Sequence, residues 1–175
     1  TGSPNVRAWL VGKLMRQARN VEGLVSIVGQ FFGVAARVEE YVGHWLLLGV
    51  TERTYLGRPG ASLGAGAVVG ARVWDRQHKF RMHLGPLSFA EYESFLPGGV
   101  RLRQLVDWVR HYLCFELAWD VRLHLKKQEV PPLRLARGAR LGWTTWLGHR
   151  RADEDAADVC LDAEVLIDPV RAGAA

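Results

Sequence analysis

The stretch from Phe115 to Lys126 restricts the fold more than any other. Phe115, Leu117, Trp119, Val121, Leu123 and Leu125 alternate with Glu116, Ala118, Asp120, Arg122, His124 and Lys126. Successive side chains of a strand point to opposite faces, so this pattern buries one face and wets the other. One-sided burial suits an antiparallel or mixed sheet better than a parallel sheet covered on both sides. The apolar face needs a cover, and the segment just before it offers one. Leu102, Leu105, Val106, Val109 and Leu113 recur at three- and four-residue steps, the stripe of a helix over 101–113.

The same reading runs along the chain. Val6, Trp9, Leu10, Leu14 and Met15 share one side of an amphipathic helix over 6–18. A second helix, 22–32, takes Asn20 as its cap, Leu24, Ile27, Val28 and Phe31 as its stripe, and Gly33 as its stop. A period near two then predicts a strand over 34–48. Residues 51–70 hold Gly57, Pro59, Gly60, Gly64, Gly66 and Gly70, a long loop of the kind that usually has a function in a compact domain. A strand from about Ala71 turns at Arg76-Gln77-His78 into another over 79–84, where Phe80, Met82 and Leu84 alternate with Lys79, Arg81 and His83. Ser88-Phe89-Ala90-Glu91 reads as the capping box of a short helix that stops at Pro97-Gly98-Gly99. Pro131-Pro132 closes the long strand, and a last strand is expected over 158–167, with Val159, Leu161, Ala163 and Val165 on one face.

Two apolar, glycine-framed loops stand apart from this pattern. Residues 63–70 read L-G-A-G-A-V-V-G and residues 141–148 read L-G-W-T-T-W-L-G. Leu63, Gly64, Val69 and Gly70 match Leu141, Gly142, Leu147 and Gly148 at one offset of 78. The order helix, strand, long loop, strand also recurs in both halves. The expected fold is therefore α+β, with two similar α-β-β units related by an approximate internal two-fold. A helix at 1–19 would precede a first unit at 20–86, a second at 87–168 and a tail at 169–175. Val68, Trp143 and Trp146 join the eight matched residues as candidate partner-binding positions. Apolar side chains on glycine-framed loops, rimmed by Arg137, Arg140, Arg150 and Arg151, have the composition of interface hot spots. The competing reading folds these side chains back onto their own core.

Chemistry finds little purchase. His111 and Cys114 lie three apart on a helix, but zinc wants three or four ligands, and His78 and His83 are not spaced to point together. Cys114 continues a buried stripe and Cys160 sits in a strand, so neither reads as a nucleophile. Gly64, Gly66 and Gly70 miss the spacing of a phosphate loop and lead into a strand where phosphate loops lead into a helix. The carboxylate pairs Glu39-Glu40 and Glu91-Glu93 read as solvated. No catalytic residue, cofactor or metal is expected. A charge of +5 and a pI near 9.6 admit an acidic partner or nucleic acid, but the basic residues are dispersed rather than clustered. Two cysteines, no visible signal peptide and no apolar run approaching about 20 residues point to a cytoplasmic protein without membrane insertion.

The segments R-V-W-D-R-Q-H-K-F-R (72–81), L-G-P-L-S-F-A-E-Y-E-S-F-L-P-G-G (84–99) and R-L-G-W-T-T-W-L-G (140–148) resemble the TssG family, also called VasB or ImpH. The likeness runs from about Asn20 to about Asp162. It implies a non-enzymatic subunit of the type VI secretion baseplate wedge, cytoplasmic and docked at the membrane, with TssF and trimers of TssK as partners and other baseplate proteins as further neighbours. Members of the family are longer at the N-terminus, so the chain, beginning at Thr1, is expected to be a C-terminal portion. The alternative from another class is a basic adaptor domain that binds nucleic acid or another acidic partner, marked by a steep salt dependence.

Overall fold

The computed structural model describes residues 20–58, 60–113, 117–132, 139–147 and 153–167. The expected helix at 6–18 and the tail at 169–175 lie outside the described residues, as do Cys114, Phe115, Glu116 and Gly148. In chain order the elements are α1 (Val21–Phe32), β1 (Ala36–Glu39), β2 (His44–Leu47), β3 (Arg72–Asp75), β4 (Lys79–Leu87), α2 (Phe89–Ser94), α3 (Val100–Leu113), β5 (Ala118–Leu125), a 3-10 turn (Lys127–Glu129), β6 (Cys160–Leu161) and α4 (Ala163–Ile167). They make a mixed α+β fold. One sheet has the order β1-β4-β5-β6, antiparallel except for the parallel central pair β4-β5, and a separate ribbon pairs β2 with β3.

Helices α1 and α3 begin and end within a residue of where the sequence places them, and α2 opens at its expected box. The Asn20 side chain accepts the Gly23 amide at 2.9 Å, and α1 stops at Gly33 with φ +70°. Asn20 is also tied to α3, because the Tyr112 hydroxyl donates to its carbonyl at 2.9 Å and accepts from its amide at 3.1 Å. At α2 both arms of the capping box form, with Ser88 N donating to Glu91 at 2.9 Å and Glu91 N to the Ser88 hydroxyl at 3.4 Å. Helices α1 and α3 bury Leu24, Ile27, Val28, Leu102, Leu105, Val106 and Val109 against Phe80, Met82 and Leu84 of β4 and Trp119, Val121, Leu123 and Leu125 of β5. Both expected units thus contribute to one core.

The other face of the sheet is polar and organised in cross-strand rows. Glu39, Arg81 and Asp120 are register partners in one row; Arg37, His83, Arg122 and Cys160 form the next. Arg81 grips Asp120 with two bonds of 2.6 and 2.9 Å, and Lys79 adds a third contact at 3.0 Å. Burial pushes the Asp120 carboxyl up, but Arg81 and Lys79 outweigh it and hold it below the usual carboxylate range. His83 stands between Glu39, 3.0 Å from its Nε2, and His124, 2.9 Å from its Nδ1.

Several expectations need correction. The strand over 34–48 is two strands in different sheets. Tyr41 takes φ +60°, a left-handed break that turns the chain out of β1 before β2 begins. The strand over 158–167 shrinks to Cys160–Leu161, because Asp162 starts α4: its side chain accepts Val165 N at 3.4 Å and its carbonyl accepts Leu166 N at 3.2 Å. β4 runs on past Leu84 to Leu87. The wet face of β5 is not all wet, since Asp120 is buried under its ion pairs. The described elements do not show the internal repeat. β1 is an edge strand with one neighbour, whereas β5 is interior with two, so the two strands expected to correspond hold different places.

Candidate partner interface

The ribbon β2-β3 carries the first apolar loop outward. The ribbon continues for one more bond, Leu48 N to Ala71 O at 2.9 Å, and then the chain advances by tight turns: Arg58 N to Tyr55 O, Ala61 N to Arg58 O and Ala65 N to Ser62 O. Gly57, Gly60, Gly64, Gly66 and Gly70 all take positive φ, the conformation that lets so short a path reverse repeatedly. Val68 is half-buried, its amide held by the Thr54 hydroxyl at 3.0 Å. Leu63 and Val69 are not held at all, at 90% and 85% exposure.

The second loop is fastened more firmly. The Arg140 carbonyl accepts Trp143 N at 3.1 Å and Thr144 N at 2.9 Å, while Arg140 N donates back to the Thr144 hydroxyl at 2.8 Å. Thr144 is buried, and Gly142 turns the chain at φ +80°. Trp143 and Trp146 are half-buried against the core rather than projected. The Trp143 carbonyl accepts the Tyr92 hydroxyl at 2.7 Å, Trp146 Nε1 donates to Asp158 at 2.9 Å, and the Arg140 guanidinium lies 5.8 Å above the Trp143 ring. The Trp143 carbonyl and the Trp146 indole therefore staple the loop to α2 and to Asp158. What the loop offers outward is aliphatic: Leu141 and Leu147 are 93% and 92% exposed.

The two loops thus share a local design. Each sets a fully presented leucine immediately before a left-handed glycine, with a second free aliphatic residue further on. Leu63-Gly64 with Val69 and Leu141-Gly142 with Leu147 are the matching parts. Leu63, Val69, Leu141 and Leu147 are exposed singly, at matching positions of the two loops. Sequence reasoning missed one neighbour of the first loop. Trp45 and Trp74 are cross-strand partners on the ribbon, 5.3 Å apart edge to face and largely exposed. Merging β1 and β2 into one strand hid that pairing; the signal was Gly43, where a side chain would collide with the Trp74 ring.

Among the described residues no group of three or more His, Cys, Asp or Glu is placed to hold a metal. His111 Nδ1 is spent on the Asp107 carbonyl at 2.7 Å, and burial raises the Cys160 thiol away from a thiolate. Among the described residues no helix is long and apolar enough to cross a membrane.

A family model described as type VI secretion, TssG, matches residues 2–148. Two solved structures share the fold. One is a chain of a type VI secretion TssK-TssF-TssG baseplate subcomplex determined by cryo-electron microscopy, with TM-score 0.63 and 22% identity over 85% of this chain. The other is a chain of a type VI secretion baseplate complex, with TM-score 0.61 and 23% identity over 92% of this chain. The present chain spans 65% of the first and 47% of the second. A comparison with curated proteins gave no match.

Proposed function

The chain belongs to the TssG family of type VI secretion proteins, and on that premise we propose that it is a structural, non-enzymatic part of the cytoplasmic, membrane-docked baseplate wedge, joining TssF to TssK. In this reading the two apolar loops are plugs for copies of TssK, with Leu63, Val69, Leu141 and Leu147 as the inserted side chains. Gly64, Gly70 and Gly142 shape the turns, Gly148 belongs to the same contact, and Val68, Trp143 and Trp146 brace the loops from beneath and line it. The observation that supports it is the near-complete exposure of four aliphatic side chains at matched sequence positions of the two loops. Fully burying each removes apolar surface worth about 1.5–3 kcal/mol, so one two-residue plug is a modest anchor. Two plugs on one chain gain avidity of roughly 10²–10⁴ over either alone.

The test is binding of purified TssK to the wild type and to a variant carrying Leu63→Ser, Val69→Ser, Leu141→Ser and Leu147→Ser. These side chains pack on nothing, so the variant should keep its circular dichroism and melting temperature and lose binding by about a hundredfold or more. A folded variant that binds TssK like the wild type would remove the loops from the interface.

A further inference from the structure

The β2-β3 ribbon has its faces the wrong way round for a surface hairpin. Trp45, Leu47, Arg72 and Trp74 share one face, since Trp45 pairs with Trp74 and Leu47 with Arg72. All four are exposed, the two tryptophans by 61% and 53%. On the opposite face His44, Val73 and Asp75 are half-buried, and only Leu46 is exposed. The His44 and Asp75 side chains are 17% and 15% exposed, with His44 Nδ1 3.7 Å from the carboxylate. A hairpin with one wet face normally turns its polar side chains outward. In this ribbon the polar pair is the covered one and the indoles face out. The rings are also fixed. Trp74 lies across Gly43, where even a methyl group would strike it, and Trp45 meets it edge to face at 5.3 Å. Such a pair steadies a ribbon that two strands alone barely hold. That role uses the ring edges in contact and leaves roughly 200 Å² of indole open across the pair.

We propose that this outer face, anchored by Trp45 and Trp74, is the larger part of the first loop's docking site, so that the two TssK sites are unequal and the ribbon site fills first. The proposal rests on the reading of the loops as TssK plugs. Two aliphatic tips do little to offset the freedom lost on association, whereas preorganised tryptophans beside an arginine are the composition that dominates interfaces. The second loop spends its tryptophans differently. Trp143 and Trp146 are half-buried under it, and only Leu141 and Leu147 are left outward. The occupant of the ribbon face is the TssK copy that takes the first loop, because face and loop are continuous. The ladder runs on through Leu48 and Ala71 to the loop's base. Trp45 stands about 10 Å of strand from that point, well inside the roughly 800 Å² that one partner covers.

The experiment starts with the wild-type chain, whose tryptophans are oxidised by hydroxyl radicals with and without saturating TssK. Trp45 and Trp74 should react about threefold or more slowly in the complex, and Trp143 and Trp146 should change less. The sites are then read one at a time. Leu141→Ser/Leu147→Ser, which keeps the ribbon site, should bind TssK about tenfold or more tighter than Leu63→Ser/Val69→Ser. Adding Trp45→Thr/Trp74→Thr to the former should weaken it by about tenfold or more, threonine being a good strand former. Should that variant not fold, the wild-type oxidation decides. Protected ribbon tryptophans together with full TssK binding by the four-serine variant would end the loop reading and leave the ribbon site standing. Loss of TssK by the four-serine variant, with Trp45 and Trp74 oxidised at the free rate in the wild-type complex, does the reverse. Equal affinity of the two single-site variants overturns the proposal. So do tryptophans that become protected when the chain alone is concentrated and gain nothing from TssK, which would give the face to a second copy.

Discussion

The two histidines on the sheet form a short chain with Glu39: His83 Nε2 lies 3.0 Å from the carboxylate and His83 Nδ1 lies 2.9 Å from His124 Nε2. Burial, then the neighbouring charges of His83, Arg122 and Arg37, hold His124 below its ordinary 6.5. Its folded state therefore resists a proton that the unfolded chain accepts. Stability contributed by neutral His124 is present above about pH 6.5 and is lost as pH falls below it. Melting temperature should decline on acidification from about pH 7 to 5, and His124→Gln should flatten that slope; an equal slope in the variant would assign the titration elsewhere. Trp119 makes the opposite case, a residue legible from alternation alone. It is buried, stacked on Phe80 at 6.1 Å, and its Nε1 donates to Glu164 at 3.0 Å. Trp119→Ala should cost about 3–5 kcal/mol, read as a shifted denaturant midpoint. The histidine pair was not legible, because it depends on β4 and β5 being parallel and in a register that spacing along one strand cannot reveal.

At the scale of elements, what the sequence showed best were the segments with local rules. The cap at Asn20, the stop at Gly33, the box at Ser88 and Glu91, and the stripe of α3 are each decided by neighbours within four residues. The strands that went astray were decided by distant partners. β1 and β2 read as one period-two run, and only Tyr41 at positive φ separates them. Residues 163–167 alternate well enough for a strand, but Asp162 caps them into a helix. A glycine in α1 shows the same lesson inside a correct element. Gly23 lowers helix propensity by about 1 kcal/mol relative to alanine, yet a side chain there would collide with the Tyr112 hydroxyl and the Asn20 cap oxygen. Gly23→Ala should therefore lower the melting temperature despite the better helix former, with Gly23→Ala/Tyr112→Phe recovering part of the loss. A stabilised Gly23→Ala single variant would mean α1 and α3 have slack at that contact.

For the whole molecule, the proposed function divides the labour between a shared core and two outward loops. Sequence similarity between 63–70 and 141–148 survives as local geometry, with Leu63 and Leu141 each presented before a left-handed glycine. It does not extend to the sheet, where β1 and β5 hold unlike positions. The loops also differ in support: the first is carried on the β2-β3 ribbon, the second is stapled to the core by Trp143 and Trp146. Equivalent tips on unlike supports are what a bivalent holder needs if the two partner copies approach from different directions. The direct measurement is the native mass of the complex with TssK. The wild type should carry two TssK trimers; Leu63→Ser/Val69→Ser and Leu141→Ser/Leu147→Ser should each carry one, and the combined variant none. Two trimers retained by the folded combined variant, or one trimer on the wild type with both loops intact, would contradict the account.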